Sequence, residues 1–154
     1  ILQTLNKKGV DTAYLTLHVG IGTFQPIRVK SIKEHKMQPE QFYIPEETSK
    51  ALICAKKKNK KIVGVGSTVT RVLESVELDV LDPSGISGWT SQFIYPGIKF
   101  KAVDHLFTNF HLPKSTLYLL VCAFAGKKLI TTAYKEAILK KYRFFSYGDA
   151  MLII

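Results

Sequence analysis

A chain of 154 residues is long enough to bury about 70% of its unfolded surface around one core, so a single domain over residues 1–154 is expected. Hydrophobic residues make up 46% and charged residues 22%, which excludes the polar, charge-dominated composition of disordered chains. Against 12 Asp and Glu stand 22 Lys and Arg, a formal net charge of +10 that favours polyanionic partners, nucleic acid first, and leaves open a lysine-rich surface that only keeps the protein dispersed.

In chain order, Ile1, Leu2 and Leu5 have helical spacing, and a helix tail over Leu2 to Lys8 ends at Gly9. A start at Ile1, already inside that spacing, is expected of a segment whose beginning lies elsewhere. Val10 to Val19 sets Ala13, Leu15 and Leu17 against Tyr14, Thr16 and His18, the period of a strand. It runs into Gly20-Ile21-Gly22-Thr23, a turn that presents His18 and Thr23 at a strand end. Residues 25–40 show little periodicity. Phe42 to Ile44 is a short strand closed by Pro45, which opens a helix to about Lys57 that buries Ala51, Leu52 and Ala55. The cluster Lys56, Lys57, Lys58, Lys60 and Lys61 then suits a helix C-terminus.

Lys61 to Gly66 reads as a buried strand, and Ser67 to Val76 as a helix with Val69, Val72, Leu73 and Val76 on one face. Further strands fall at Trp89 to Tyr95, before Pro96-Gly97, and around Leu106-Phe107-Thr108. Pro113 opens an apolar helix to Ala125 that Gly126 stops. From Lys127 to Tyr142, Ile130, Ala133, Tyr134, Ala137 and Ile138 form a stripe, with Lys128 and Lys135 opposite: an amphipathic helix with a basic face. Ala150 to Ile154 is a last strand. Strands alternating with helices predict an α/β fold, a layered domain with a mixed central sheet, without internal repeat or linker.

Cys54 and Cys122 both sit in apolar stretches, which predicts two small core residues and a reducing, cytosolic location rather than a disulfide framework. No basic leader precedes an apolar run at the start, and the longest apolar run, Leu117 to Ala125, is about half the ~20 residues that span a bilayer. No membrane partner is expected.

Three places could carry chemistry. Gly64-Val65-Gly66-Ser67-Thr68-Val69-Thr70-Arg71 lies at a strand-to-helix turn, where free backbone N–H groups favour an anion and Arg71 adds a bidentate clamp; a plain structural turn is the alternative. Val69 occupies the third glycine position of a dinucleotide fingerprint, which argues against a nicotinamide site. Lys114-Ser115-Thr116 lacks the glycine-rich arch of an NTPase loop, but Asn109 and His111 precede it and bring several polar groups to one helix start. The four histidines, His18, His35, His105 and His111, show no metal-ligand spacing, so no metal is expected. Asp104 and Asp149 are either acids and bases or turn caps.

Several long strings occur together in one order: Thr16 to Pro26 (TLHVGIGTFQP), Gly66 to Ser75 (GSTVTRVLES), Phe93 to Gly97 (FIYPG), Thr108 to Leu117 (TNFHLPKSTL) and Tyr142 to Met151 (YRFFSYGDAM). Together they resemble the S-adenosylmethionine:tRNA ribosyltransferase-isomerase family, over nearly the whole chain. One departure stands at Gln38 and Pro39, where the family usually shows a second histidine and a small residue; His35 and Glu40 still match.

The resemblance implies a transferase and isomerase of queuosine biosynthesis. Such an enzyme transfers and isomerises the ribosyl moiety of S-adenosylmethionine, its co-substrate, onto the aminomethyl-deazaguanine base at the tRNA wobble position. It gives epoxyqueuosine and releases adenine and methionine without a metal. It also implies an α/β domain whose inserted β-barrel and N-terminal segment lie outside this chain; a monomer is expected. The chemistry needs a base beside the sulfonium and help for the departing adenine. His111 and Asp149 are the expected acid and base, with His18 third. Gly66, Ser67, Thr68, Arg71 and Asn109 are expected to bind substrate, and Lys114 and Arg143 to meet RNA. The competing expectation is a truncated, catalytically incomplete basic fragment that binds RNA without turnover.

Overall fold

The computed structural model describes residues 1–24, 26–29 and 31–154, the side chain of Phe24 excepted. Gln25, in the first family string, and Lys30, in the stretch of low periodicity, lie outside the described residues.

Leu2–Lys7 forms α1 and Gly9, at φ 76°, turns the chain away from it. The strand expected over Val10 to Val19 shrinks to β1, Thr16–Leu17. The cause is local: Tyr14 spends its backbone on a side chain, its N–H donating to Thr48 Oγ1 (3.2 Å) and its carbonyl accepting from the same hydroxyl (2.5 Å). A residue tied that way cannot join a ladder.

β2 (Glu40–Ile44) pairs antiparallel with β1 on one side and with β4 (Ile86–Thr90) on the other, with Thr16 opposite Tyr43 and Gln41 opposite Trp89. This β4 lies earlier than the Trp89 to Tyr95 expected, because Thr90 faces Glu40 and β2 begins there. Between β2 and β4 comes α2 (Glu46–Lys57), entered through Pro45, with Glu46 and Glu47 in its first turn and Lys56 and Lys57 in its last, the order that suits the helix dipole. Its buried side is Thr48, Ser49 and Leu52, whereas Ala51 is exposed and Ala55 half-buried. Two hydroxyls outrank alanine there because each satisfies loop backbone: Thr48 at Tyr14, and Ser49 at the Asp82 carbonyl.

The second sheet is mixed. β3 (Val63–Val65) runs parallel to β5 (His105–Asn109), which pairs antiparallel with β6 (Ala150–Ile153). The α/β fold with a mixed sheet is as the sequence predicts, its strands divided between two three-stranded sheets. Gly64, Leu106, Thr108 and Ile153 face inward. β3, expected to be buried, is covered on one face only: Val63, Val65, Phe107 and Leu152 are 41–61% exposed on the other.

The crossover from β3 to β5 contains α3 (Ser67–Leu73), shorter than the helix to Val76 expected, and β4. α4 (Thr116–Ala125) starts three residues after Pro113, because Ser115 accepts a bond from Tyr118 N–H and becomes the cap. Gly126, at φ 85°, ends α4 and begins α5 (Lys127–Leu139), the two axes bending by 115°. Among the described residues no single helix is long and apolar enough to cross a membrane. α5 buries Ile130, Tyr134 and Ala137 but leaves Ile138, assigned to the same stripe, 64% exposed.

Leu106, Phe110, Leu120, Val121, Ile130, Tyr134 and Ile153 make one core, and Phe42, Ile44, Leu52, Val72, Leu73 and Val103 another. Phe124 packs against both. Cys122 belongs to the first; Cys54, expected in a core, is exposed.

Candidate active site

β3 and β5 run parallel, so their carboxyl ends open together, and in α/β sheets that is where ligands bind. A cavity of about 270 Å3 lies there. It is walled by Gly66, Ser67 and Thr68 after β3 and by Thr108 to Leu112 at the end of β5. Thr23 from the Ile21–Phe24 turn, Ser115 and Leu117 from the start of α4, and Phe145 and Ser146 before β6 complete it. The volume is just below the ~300–1,000 Å3 of small-molecule sites, and a mostly apolar wall with two aromatic rings and a few hydroxyls suits a ligand with a flat apolar part and a few polar groups.

His111 is the titratable side chain in this wall. Its Nε2 lies 3.0 Å from Thr108 Oγ1, and its backbone N–H donates to the Tyr134 hydroxyl (2.8 Å), which fixes the ring's origin between β5 and α5. Burial pushes the imidazole down to about 4, so the ring is neutral at neutral pH. Burial pushes Tyr134 up to about 12, and the phenol keeps its proton. Phe110, Tyr134 and Phe144 pack edge-on and tilted around one another beneath this corner.

Gly66 sits at φ 99°, a conformation that favours glycine, and the turn it makes delivers Ser67 and Thr68 to the cavity. Asn109 lines it too, its amide 3.4 Å from the carbonyls of Gly148 and Asp149. His111, Gly66, Ser67, Thr68 and Asn109, expected from the sequence, are thus brought together.

The other expected site residues are not at this wall. Arg71 was to clamp a substrate; its guanidinium instead is 3% exposed and pairs with Glu40 (Nη1 to Oε2, 2.5 Å) behind Thr23. Asp149 was to be an acid or base; its carboxylate accepts from the Arg143 N–H (2.7 Å) and guanidinium (3.1 Å), the side-chain hydrogen bond first among the causes that hold it below the usual range. Asp149 and Arg143 close the 143–149 loop that presents Phe145 and Ser146. His18 is exposed and outside the cavity wall, with its backbone N–H bonded to Gln41. Lys114 is exposed in the turn before α4, its carbonyl accepting from Ile27 N–H. Asp104 caps a turn, accepting from Lys61 and from Ile62 N–H. His35 packs its ring 4.8 Å from that of Phe93.

Thr108, Phe145 and Ser146 were missed as wall residues, although all three lie inside strings that carry the family resemblance. Among the described residues no group of three His, Cys, Asp or Glu side chains gathers as a metal site.

The sequence pattern of the family described as queuosine biosynthesis protein matches residues 1–153. The chain belongs to this family. It is 51% identical over its whole length to the S-adenosylmethionine:tRNA ribosyltransferase-isomerase of Halothermothrix orenii, and 49% identical to that of Aquifex aeolicus, covering 45% of each. The crystal structure of S-adenosylmethionine tRNA ribosyltransferase from Thermotoga maritima superposes with a TM-score of 0.80 at 44% identity, over 99% of this chain and 48% of that one. The chain thus spans about half the length of the queuosine biosynthesis relatives it matches.

Proposed function

We propose that this chain carries the S-adenosylmethionine site of an enzyme that moves and isomerises the co-substrate's ribosyl moiety onto the aminomethyl-deazaguanine at the tRNA wobble position. The products are epoxyqueuosine in tRNA, adenine and methionine. The supporting observation is a neutral imidazole in a hydroxyl-lined cavity at the carboxyl ends of parallel strands, in a chain about half identical to enzymes named for this reaction.

The reaction needs a base for a proton beside the sulfonium. His111 suits it because burial has already removed its own proton at neutral pH, and Thr108 Oγ1 stands 3.0 Å away to accept a hydrogen bond from the imidazolium that forms. Ser67, Thr68 and the Gly66 turn offer hydroxyls and backbone donors to the methionyl carboxylate or the ribose. Asn109 offers an amide to the departing adenine. Lys114 and the lysines of α5 offer cations to the tRNA backbone. Two free thiols suit the cytosol.

The test is adenine release by the protein that carries this chain, given S-adenosylmethionine and tRNA with the aminomethyl-deazaguanine. Release that depends on both substrates is expected. Binding of tRNA with no release would leave only an RNA-binding role, and neither would remove the proposal.

A further inference from the structure

Among the described residues, the most deeply buried charges belong to none of the groups given a chemical role. Glu40, on β2, and Arg71, on α3, are 2% and 3% exposed at their side chains and 2.5 Å apart. Taking two charges out of water is costly, and an apolar pair of equal volume is often as stable. A pair kept at this depth calls for a job other than stability.

Its partners show what the job is. Glu40 Oε1 accepts from the Gly20 N–H (2.7 Å) and from the Thr23 hydroxyl (2.7 Å). Arg71 Nη1 donates to that same hydroxyl (3.1 Å), and its Nε to the Gln92 carbonyl (3.0 Å). From the opposite side, Thr116 Oγ1 at the start of α4 donates to the Thr23 carbonyl (3.1 Å). The Ile21–Phe24 turn is thereby held by β2, α3 and α4, and two of these, α3 and α4, begin at the cavity. Thr23, the residue all three grip, is itself in the cavity wall.

We propose that Glu40 and Arg71 are positioning residues that fix the Ile21–Phe24 turn, and with it Thr23, as one rigid side of the S-adenosylmethionine cavity. This rests on the function proposed above. A charged pair suits the task because each hydrogen bond has a direction: the carboxylate takes two donors, and the guanidinium fork spans Thr23 and Gln92 at once. An apolar pair would fill the space without setting the turn's orientation, and small misplacements of a site wall cost large factors in rate.

Thr23→Val, Glu40→Gln and Arg71→Lys separate the possibilities, with amide hydrogen exchange over residues 18–24, a thermal melt, and the rate and KM of adenine release measured on each. Faster exchange at Gly20 to Phe24 in Thr23→Val and Glu40→Gln is expected, with single-turnover rates lower by about 10- to 100-fold and KM for S-adenosylmethionine within about threefold. Arg71→Lys keeps the charge and loses the fork, so it should not restore either readout. If Glu40→Gln fails to fold, Thr23→Val decides, because it leaves both charges paired. Unchanged exchange in a folded Thr23→Val protein overturns the proposal, whether the rate holds or falls; a fall would then make Thr23 a direct contact to substrate. Should the unsubstituted protein release no adenine, the assigned function fails, and the exchange measurement still judges the clamp.

Discussion

At His111 one residue carries opposite consequences for stability and for rate. Its pKa falls from 6.5 to about 4 because the ring is desolvated, so in the folded protein it takes up a proton later than in the unfolded chain as pH drops. Folding stability from this site is therefore complete above pH 6.5 and is lost as pH falls through that value toward about 4. Equilibrium unfolding at pH 7, 6 and 5 should show the decline, and His111→Gln should flatten it. As a base the ring stays available well below pH 6.5, so the acid limb of single-turnover adenine release should lie nearer 4 than 6.5, and His111→Ala should lower the rate on the order of 10²–10⁴-fold. A limb near 6.5 that survives His111→Ala would assign the proton transfer elsewhere. Asp149 differs in kind: its carboxylate is already committed to Arg143. Asp149→Asn should loosen the 143–149 loop and lower the rate far less than His111→Ala, which a side-by-side single-turnover assay reads directly.

At the scale of elements, the 143–149 loop is where sequence and structure meet most instructively. A Cβ on Gly148 would lie 2.4 Å from the Arg143 carbonyl oxygen, so the loop closes only because that position lacks a side chain. Gly148→Ala should force the loop open and lower stability by about 1–3 kcal/mol, visible in denaturant titration, with the rate falling too because Phe145 and Ser146 leave the wall. The sequence offered Asp149 as a turn cap, but not that it turns back on Arg143, since a side chain's partner six residues away leaves no periodic signal. Long periodic pieces were equally legible: α2, β5, α4 and β6 fall close to where spacing puts them. What failed failed through tertiary competition. Tyr14 left its strand for Thr48, and Ser49 and Thr48 displaced alanines from the buried side of α2 by satisfying carbonyls. Arg71 looked like a ligand clamp because the sequence shows only that it lies one turn into the helix that follows the glycine turn. Its pairing with Glu40, 31 positions earlier, is set by where α3 packs against β2.

Across the whole molecule the net charge of +10 is not spread evenly in its effect. The cluster at the end of α2 spends part of its charge internally: Lys60 lies 3.1 Å from Asp11, Lys61 2.7 Å from Asp104, and Lys56 4.0 Å from Asp79. On α5, Lys127, Lys128 and Lys135 are exposed and, among the described residues, make no ion pair. Phosphate neutralisation releases counterions only where the cation was not already neutralised, so α5 rather than the 56–61 cluster should dominate tRNA affinity and its salt dependence. Affinity should fall steeply between low and high salt, and Lys128→Ala with Lys135→Ala should flatten the log–log slope by about two, one for each phosphate contact removed. Lys56→Ala with Lys60→Ala should flatten it less. Phosphate contacts position rather than react, so single-turnover adenine release at saturating tRNA should be unchanged in the α5 double variant. Filter binding at four salt concentrations distinguishes the two faces; equal slopes for both double variants would show that the local ion pairs do not shield the cluster, and an unchanged slope in the α5 variant would move the RNA to another face.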